Sequence, residues 1–243
     1  MGGAVSTVID NVGADVLSVV IGAACTAAVT VGRWALVRLL PARRMWRFKS
    51  GRDLRIVVSS SAMVHTGLYQ RPVTGIGQVR ALSLLSPLLR RAYKDANLEE
   101  VLLSEELAGH DLNNNLLVIG GPKTNWVARE LLDRLAPRLP FTVAGTVITW
   151  GPADYDGEAE EDNVLHDFGY VVRAVHPLHP ERRVVVVAGS HTFGTAAAAQ
   201  WLAQHGGSRK LPAELAVLIE ADVSRNDHIG MPRVLFQLAL TPA

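Results

Sequence analysis

The sequence predicts an α/β protein: a three-layer, Rossmann-like and mainly parallel sheet closed by a C-terminal antiparallel hairpin, preceded by one N-terminal transmembrane helix. Three observations lead there. Apolar runs recur that are followed by a glycine-bearing loop and a helical pattern, as in Leu116–Leu135 (LLVIGGPKTNWVARELLDRL) and Val184–His205. Such runs suit strands buried on both faces, which strand–helix–strand order makes parallel. Two strand-like runs, Leu215–Val223 and Arg233–Leu240, finish the chain with only Ser224–Pro232 between them, and so read as a hairpin. Finally, Val16–Gly32 carries no charge over 17 residues, the lower limit for a membrane span.

The elements follow in order. Apolar character continues past Arg33 through Trp34–Val37 to Leu39 and Leu40, and an Arg33 that snorkels lengthens the span by about a turn, which places it at about 12–36. Trp34, Trp46 and Phe48 suit a membrane interface. Residues 1–32 hold Asp10 and Asp15 and no Lys or Arg, whereas Arg33, Arg38, Arg43, Arg44, Arg47, Lys49, Arg52 and Arg55 crowd the next stretch. That asymmetry predicts a single-pass protein of the cell membrane with its N-terminus outside and its C-terminal domain cytoplasmic. A secretory signal has its positive charges before the apolar run, and here they come after. The alternative is an Ala-rich buried helix or an interfacial one. Residues 1–50 are therefore read as anchor and basic juxtamembrane segment, and 51–243 as the ligand-binding domain. From position 56 onward 16 basic residues face 20 acidic ones, which argues against a nucleic-acid partner. The single cysteine, Cys25, lies in the apolar segment, so the body has no disulfide, cysteine metal site or catalytic thiol.

In the body, Leu54–Val58 reads as a first strand running into Ser59-Ser60-Ser61, with His65 nearby. Thr74-Gly-Ile-Gly77 opens a helix that Ser86-Pro87 restarts, since Ser caps and Pro fits a first helical turn. Glu100–Leu103 and Phe141–Trp150 are further strands. Gly151–Asn163, with six carboxylates, reads as a solvated loop rather than a calcium loop. Phe168–Val175 alternates as a strand should. His176-Pro-Leu-His179-Pro is a turn, because the prolines preclude a helical histidine pair.

The candidate site lies where strands give way to helices. After Leu116–Ile119, Gly120 and Gly121 allow close approach to the backbone, Pro122 suits a first turn, and the free N–H groups of the following helix favour an anion. Lys123 adds charge, and Asn125 either caps the helix or bonds a ligand. Gly189, Ser190, His191 and Thr195 repeat this arrangement after Val184–Ala188 and form the opposite wall. Open parallel sheets place ligands at such loops. The bland alternative is a pair of tight turns that bind nothing. Neither loop matches the phosphate-loop, dinucleotide or nucleophile-elbow patterns. A hydrolase or glycosidase remains an alternative, with Glu130, Asp167 and Glu220 as its candidate carboxylates.

The segment VIGGPKTNWVARELL resembles the nucleotide-binding loop of the SLOG superfamily of Rossmann-like domains. The layout is also similar to that of membrane-anchored proteins of high-GC Gram-positive bacteria. The resemblance implies a sensor or processor of nucleotide-derived ligands, with Gly120, Gly121 and Asn125 as binding positions. The expected partners are thus an anionic, nucleotide-like small molecule and the membrane. A non-catalytic scaffold, and homo-oligomers, stay open. No cofactor or metal site follows from the residues.

Overall fold

The computed structural model describes residues 20–21, 23–65, 67–160 and 163–241, and the chain divides into two units, 1–40 and 41–243. Helix α1 (Ala23–Trp46) is long and apolar enough to cross a membrane, judged by length and composition. Val29, Val31, Leu36 and Val37 are exposed along it, and a π-helical stretch occupies Ala35–Leu39. Residues 12–19 of the expected span, with Asp10 and Asp15, lie outside the described residues.

Unit 41–243 begins inside the last turns of α1. Ala42, Met45, Trp46 and Phe48 are buried in its core, Trp46 completely. These two aromatics, which the sequence assigns to a membrane interface, instead stack on one another at 6.1 Å and extend to Tyr93.

The core is one eight-stranded sheet built from β1 (Leu54–Val58), β4 (Val101–Leu103), β5 (Asn115–Ile119), β9 (Glu158–Glu160), β10 (Asn163–Val175), β11 (Arg183–Gly189), β12 (Leu215–Asp222) and β13 (Arg233–Ala239). Its order is β13-β12-β10-β11-β5-β1-β4, with β9 against the start of β10. The expectation of a mainly parallel Rossmann-like sheet is overturned. Only β11, β5, β1 and β4 run parallel; the 13-residue β10 lies antiparallel to β11, β12 and β9, and β12 antiparallel to β13. The reason is the connection. The seven residues 176–182 between β10 and β11 close a hairpin, whereas a parallel return needs a crossover of a dozen or more.

Alternation along each strand sends side chains to two cores. Ile56, Val58, Leu117, Ile119, Val185 and Val187 pack with α2 (Ile76–Ala92), α4 (Thr192–His205) and the end of α1. Val57, Leu116, Val118, Val184, Val186 and Tyr170 pack with α3 (Trp126–Leu135) and the meander β6 (Phe141–Ala144), β7 (Val147–Trp150) and β8 (Ala153–Tyr155). A separate hairpin, β2 (Ala62–His65) with β3 (Gln70–Val73), is exposed.

Three local expectations change. Phe141–Trp150 is two strands, turned at Gly145, whose φ is +66°. Part of the acidic stretch forms β8 and β9, because Tyr155 packs edge-on to Phe168 and Phe236. Helix α2 runs through Pro87 without restarting; Ser86 turns its hydroxyl back to the Leu82 carbonyl at 2.7 Å rather than capping a new helix.

Candidate functional site

Parallel pairing sets the C-terminal ends of β1, β5 and β11 level, with Val58 beside Ile119 and Ile119 beside Val187. The loops that follow therefore leave the sheet together. Gly120 N–H still reaches the Val187 carbonyl at 2.9 Å, and Ser59 N–H the Ile119 carbonyl at 3.0 Å. The start of α2 joins them through Thr192, whose Oγ1 accepts from Gly77 N–H at 2.8 Å and donates to Gln78 Oε1 at 3.2 Å. Thr146, from the β6–β7 turn, closes the last side. The resulting crevice holds about 320 Å³.

Gly121, Lys123, Gly189, Ser190, His191 and Thr195, from two separate loops, all line it. Gly120 and Asn125 do not. Gly120 turns with φ +109°, and the place of its missing side chain is filled by Ser59 Oγ, so its role is to let two loops pass in contact. Asn125 is fully buried: Oδ1 accepts from Ala128 N–H at 3.1 Å, and Nδ2 donates to the Ile119 carbonyl at 3.4 Å. It is the N-cap of α3 and ties that helix to β5.

The second expected anion seat, the N-terminus of α4, is already filled. Asp167 reaches it from β10, with no exposure to solvent. Its Oδ1 accepts from His191 N–H at 3.1 Å and Phe168 N–H at 2.8 Å, and its Oδ2 from Gly194 N–H at 2.5 Å. A carboxylate here satisfies free helix amides and complements the helix dipole. His191, the N-cap residue, makes no side-chain cap bond, and the neighbouring Ser190 and Thr192 hydroxyls bond elsewhere, which leaves the amides to the distant acid. The approach requires glycine at 194, where a Cβ would overlap the Phe168 carbonyl.

Asp167 also governs His191. Its Oδ1 lies 3.5 Å from the His191 Nδ1, which is buried, while the side chain as a whole is about a third exposed to the crevice. The nearby carboxylate holds the imidazole above its usual pKa, against the opposing effects of burial and of Lys123. The crevice thus presents Lys123 and one end of an imidazole whose other end is ion-paired. Ser190 Oγ donates to the Tyr155 carbonyl at 3.5 Å, so the hydroxyl nearest in sequence is not paired with the ring.

A second cavity of about 380 Å³ adjoins it and shares Lys123; Arg129, Asp133, Leu132, Leu139, Phe141 and Val143 line it. The β6–β7 turn divides the two, with Gly145 on one side and Thr146 on the other. Tyr170 lies beneath: its hydroxyl is buried without a hydrogen-bond partner among the described residues, near the position a Gly121 side chain would take. Glu130 and Glu220 are elsewhere, the first paired with Arg134 on α3 and the second with Arg233 and His166. His65 sits on the exposed β2 and bonds Gln70.

Residues 90–205 match the model of a family described as S-layer like family, outer domain. The matched stretch includes both crevice loops, α3, α4, β5, β10 and β11, and leaves out β1, all but the last turn of α2, β12 and β13. No curated protein matches the chain. The match overturns the SLOG resemblance. A strand, two glycines and a capped helix were its whole basis; here Gly120 and Asn125 have packing and capping roles that any buried strand-to-helix turn can need.

Proposed function

We propose that this protein is a membrane-anchored domain that binds a small anionic molecule in the crevice between the β5–α3 and β11–α4 loops. The observation that carries the reading is the convergence of Lys123 and His191 on one crevice whose remaining wall is mostly backbone and hydroxyl groups. His191 and Asp167 form a neutral pair when the ring is protonated, and Lys123, with the Asp156 carboxylate near the ring, sets the remaining charge, Lys123 being the cation that lines the crevice and favours an anion. The adjoining cavity accommodates an apolar portion of a ligand larger than phosphate. Basic residues directly after the apolar helix support a cytoplasmic domain.

The test is thermal unfolding of the full chain in detergent against inorganic phosphate, nucleotides and phosphorylated metabolites, with mass spectrometry of the mixtures afterwards. A ligand at 100 times its Kd adds about 2.7 kcal/mol. The shift is expected to vanish in Lys123→Ala and to weaken in His191→Gln. Consumption of the ligand makes the domain an enzyme that uses the His191–Asp167 pair, and no shift across the panel refutes the reading.

A second reading is favoured by the family match: an S-layer-like domain held outside the cell by its N-terminal helix. Labelling of Arg225→Cys, in a Cys25→Ser background, by a membrane-impermeant maleimide on intact cells separates the two sides.

A further inference from the structure

We propose that the ligand of this crevice is an anionic sugar or polyol, one of whose hydroxyl groups is held at the wall between the Tyr170 hydroxyl and the Gly189 carbonyl. The inference rests on the reading that Lys123 marks an anion site, and it names the chemical class of that anion.

The lining excludes most other classes. Lys123 and His191 are the ionisable side chains among the described residues that line the crevice, and no carboxylate, aliphatic or benzenoid side chain joins them. The remainder is glycine backbone, serine and threonine hydroxyls and the Gln78 amide. A nucleobase or an acyl chain needs an apolar wall, which lies instead in the adjoining cavity at Leu132, Leu139 and Phe141. Hydroxyls and amides, which both donate and accept, suit a ligand whose groups do the same.

At the wall, two polar groups lack partners. Gly120 N–H donates to the Val187 carbonyl at 2.9 Å, and two residues further along a parallel ladder residue 122 would serve the Gly189 carbonyl. That residue is Pro122, which has no N–H to give. Pairing with β10 does not use the carbonyl either, because Ser190 N–H donates to the Phe168 carbonyl and the adjacent Gly169–Gly189 pair turns its groups away. Tyr170 is fully buried, and its hydroxyl has no hydrogen-bond partner among the described residues. Both groups border one small gap: a Cβ on Gly121 would lie 3.6 Å from the Gly189 oxygen and 3.7 Å from the Tyr170 hydroxyl. The φ of Gly121 is not positive, so its backbone does not call for glycine; what glycine leaves there is the space.

An alcohol in this gap accepts from Tyr170 and donates to Gly189. An ionised phosphate or carboxylate oxygen only accepts, and a methylene does neither. A buried hydroxyl left unpaired is costly, and a ligand without an alcohol forgoes the relief.

The experiment is calorimetric titration of the full chain in detergent with ribose phosphate, glycerol phosphate and gluconate, against butyl phosphate and hexanoate, which carry the anionic group without hydroxyls. At least one hydroxylated probe is expected to bind about tenfold or more tighter than its plain counterpart, as a site built to bond an alcohol discriminates. Tyr170→Phe removes a hydroxyl that has no partner in the free protein, so thermal unfolding should be unchanged while the preference drops below about threefold. If that variant does not fold, Gly121→Ala serves, since its methyl makes only ordinary contacts and fills the gap. Lys123→Ala should weaken every probe, and so reads the anion site separately. Equal binding of hydroxylated and plain anions, or a preference that survives both Tyr170→Phe and Gly121→Ala, overturns this inference and leaves the anion site standing. No binding by any probe overturns both.

Discussion

Arg173 offers the sharpest test of how the body is held together. It lies near the C-terminal end of β10, 1% exposed, with no carboxylate partner among the described residues. Its guanidinium donates instead to five main-chain carbonyls: Nη1 to Met45 at 2.8 Å, to Arg44 and Gly206 at 3.1 Å each, Nε to Ala213 at 3.0 Å, and Nη2 to Pro212 at 2.5 Å. Arg44, Met45 and Gly206 lie at the C-terminal ends of α1 and α4, where the helix dipole and free carbonyls favour a cation. Burial, with Arg47 and Arg183 nearby, pulls the side chain down to about 10, a cost of about 3 kcal/mol at neutral pH. Against it stand bonds worth roughly 1.5–3 kcal/mol each with a charged donor. Nη1 shares two protons among three acceptors, so four independent bonds, or about 6–12 kcal/mol, is the fair count. Arg173→Met should thus cost about 3–5 kcal/mol, the low end because neighbouring bonds are not additive. That is on the order of 10 °C in Tm for a body this size. Unfolding followed by tryptophan fluorescence reads it, because Trp46 is buried in the same region. Hydrogen exchange should show 41–48 and 206–213 loosening first. A loss below about 1 kcal/mol would refute the account.

Four further outcomes are expected. Asp167→Ala leaves the Gly194 and His191 amides unpaired and should cost about 2–3 kcal/mol in chemical denaturation; it also returns the His191 pKa toward its ordinary value, which NMR titration detects. Asn125→Ala removes the α3 cap and the bond to Ile119, for a loss of about 1–2 kcal/mol in the same assay. Gly194→Ala forces a methyl into the Phe168 carbonyl, and expression should yield little folded protein. His176 is buried, and burial with His179 nearby lowers its pKa to about 4. The unfolded chain binds its proton more readily, so stability is full above pH 6.5 and falls as pH drops toward 4, by up to about 3 kcal/mol; His176→Gln should flatten that part of the pH–Tm curve.

Much of the crevice was legible because local chemistry specifies it. An apolar run, glycines and a helical pattern mark a strand-to-helix loop wherever they occur, and both loops occur here. Lys123 and His191 follow from the same reading. Asn125 was legible as a cap, and nothing in the sequence chose between cap and ligand contact until its two oxygen and nitrogen bonds were seen inside the protein. Asp167 was visible only as one of three unranked candidate carboxylates, just before an expected strand. Its partnership with the amides of His191 and Gly194 spans 24 and 27 residues and depends on β10 lying beside β11.

The sequence alone located the buried strands and the helices that pack on them, since side-chain periodicity is a property of each segment, and it marked the apolar stretch that became α1; the short β2, β3, β8 and β9 escaped it. Strand direction was left to tertiary structure. Helices or the β-meander cover both faces of this sheet, so the antiparallel β12 is nearly as continuously apolar as the parallel β5 and β11, and hydrophobicity cannot distinguish them. Only the short turn after β10 forces the antiparallel choice. The same logic moved Trp46 and Phe48 from an expected interface into the core. Aromatic residues behind an apolar helix suit either place, and the carbonyls of Arg44 and Met45, held by Arg173, decide in favour of the protein interior.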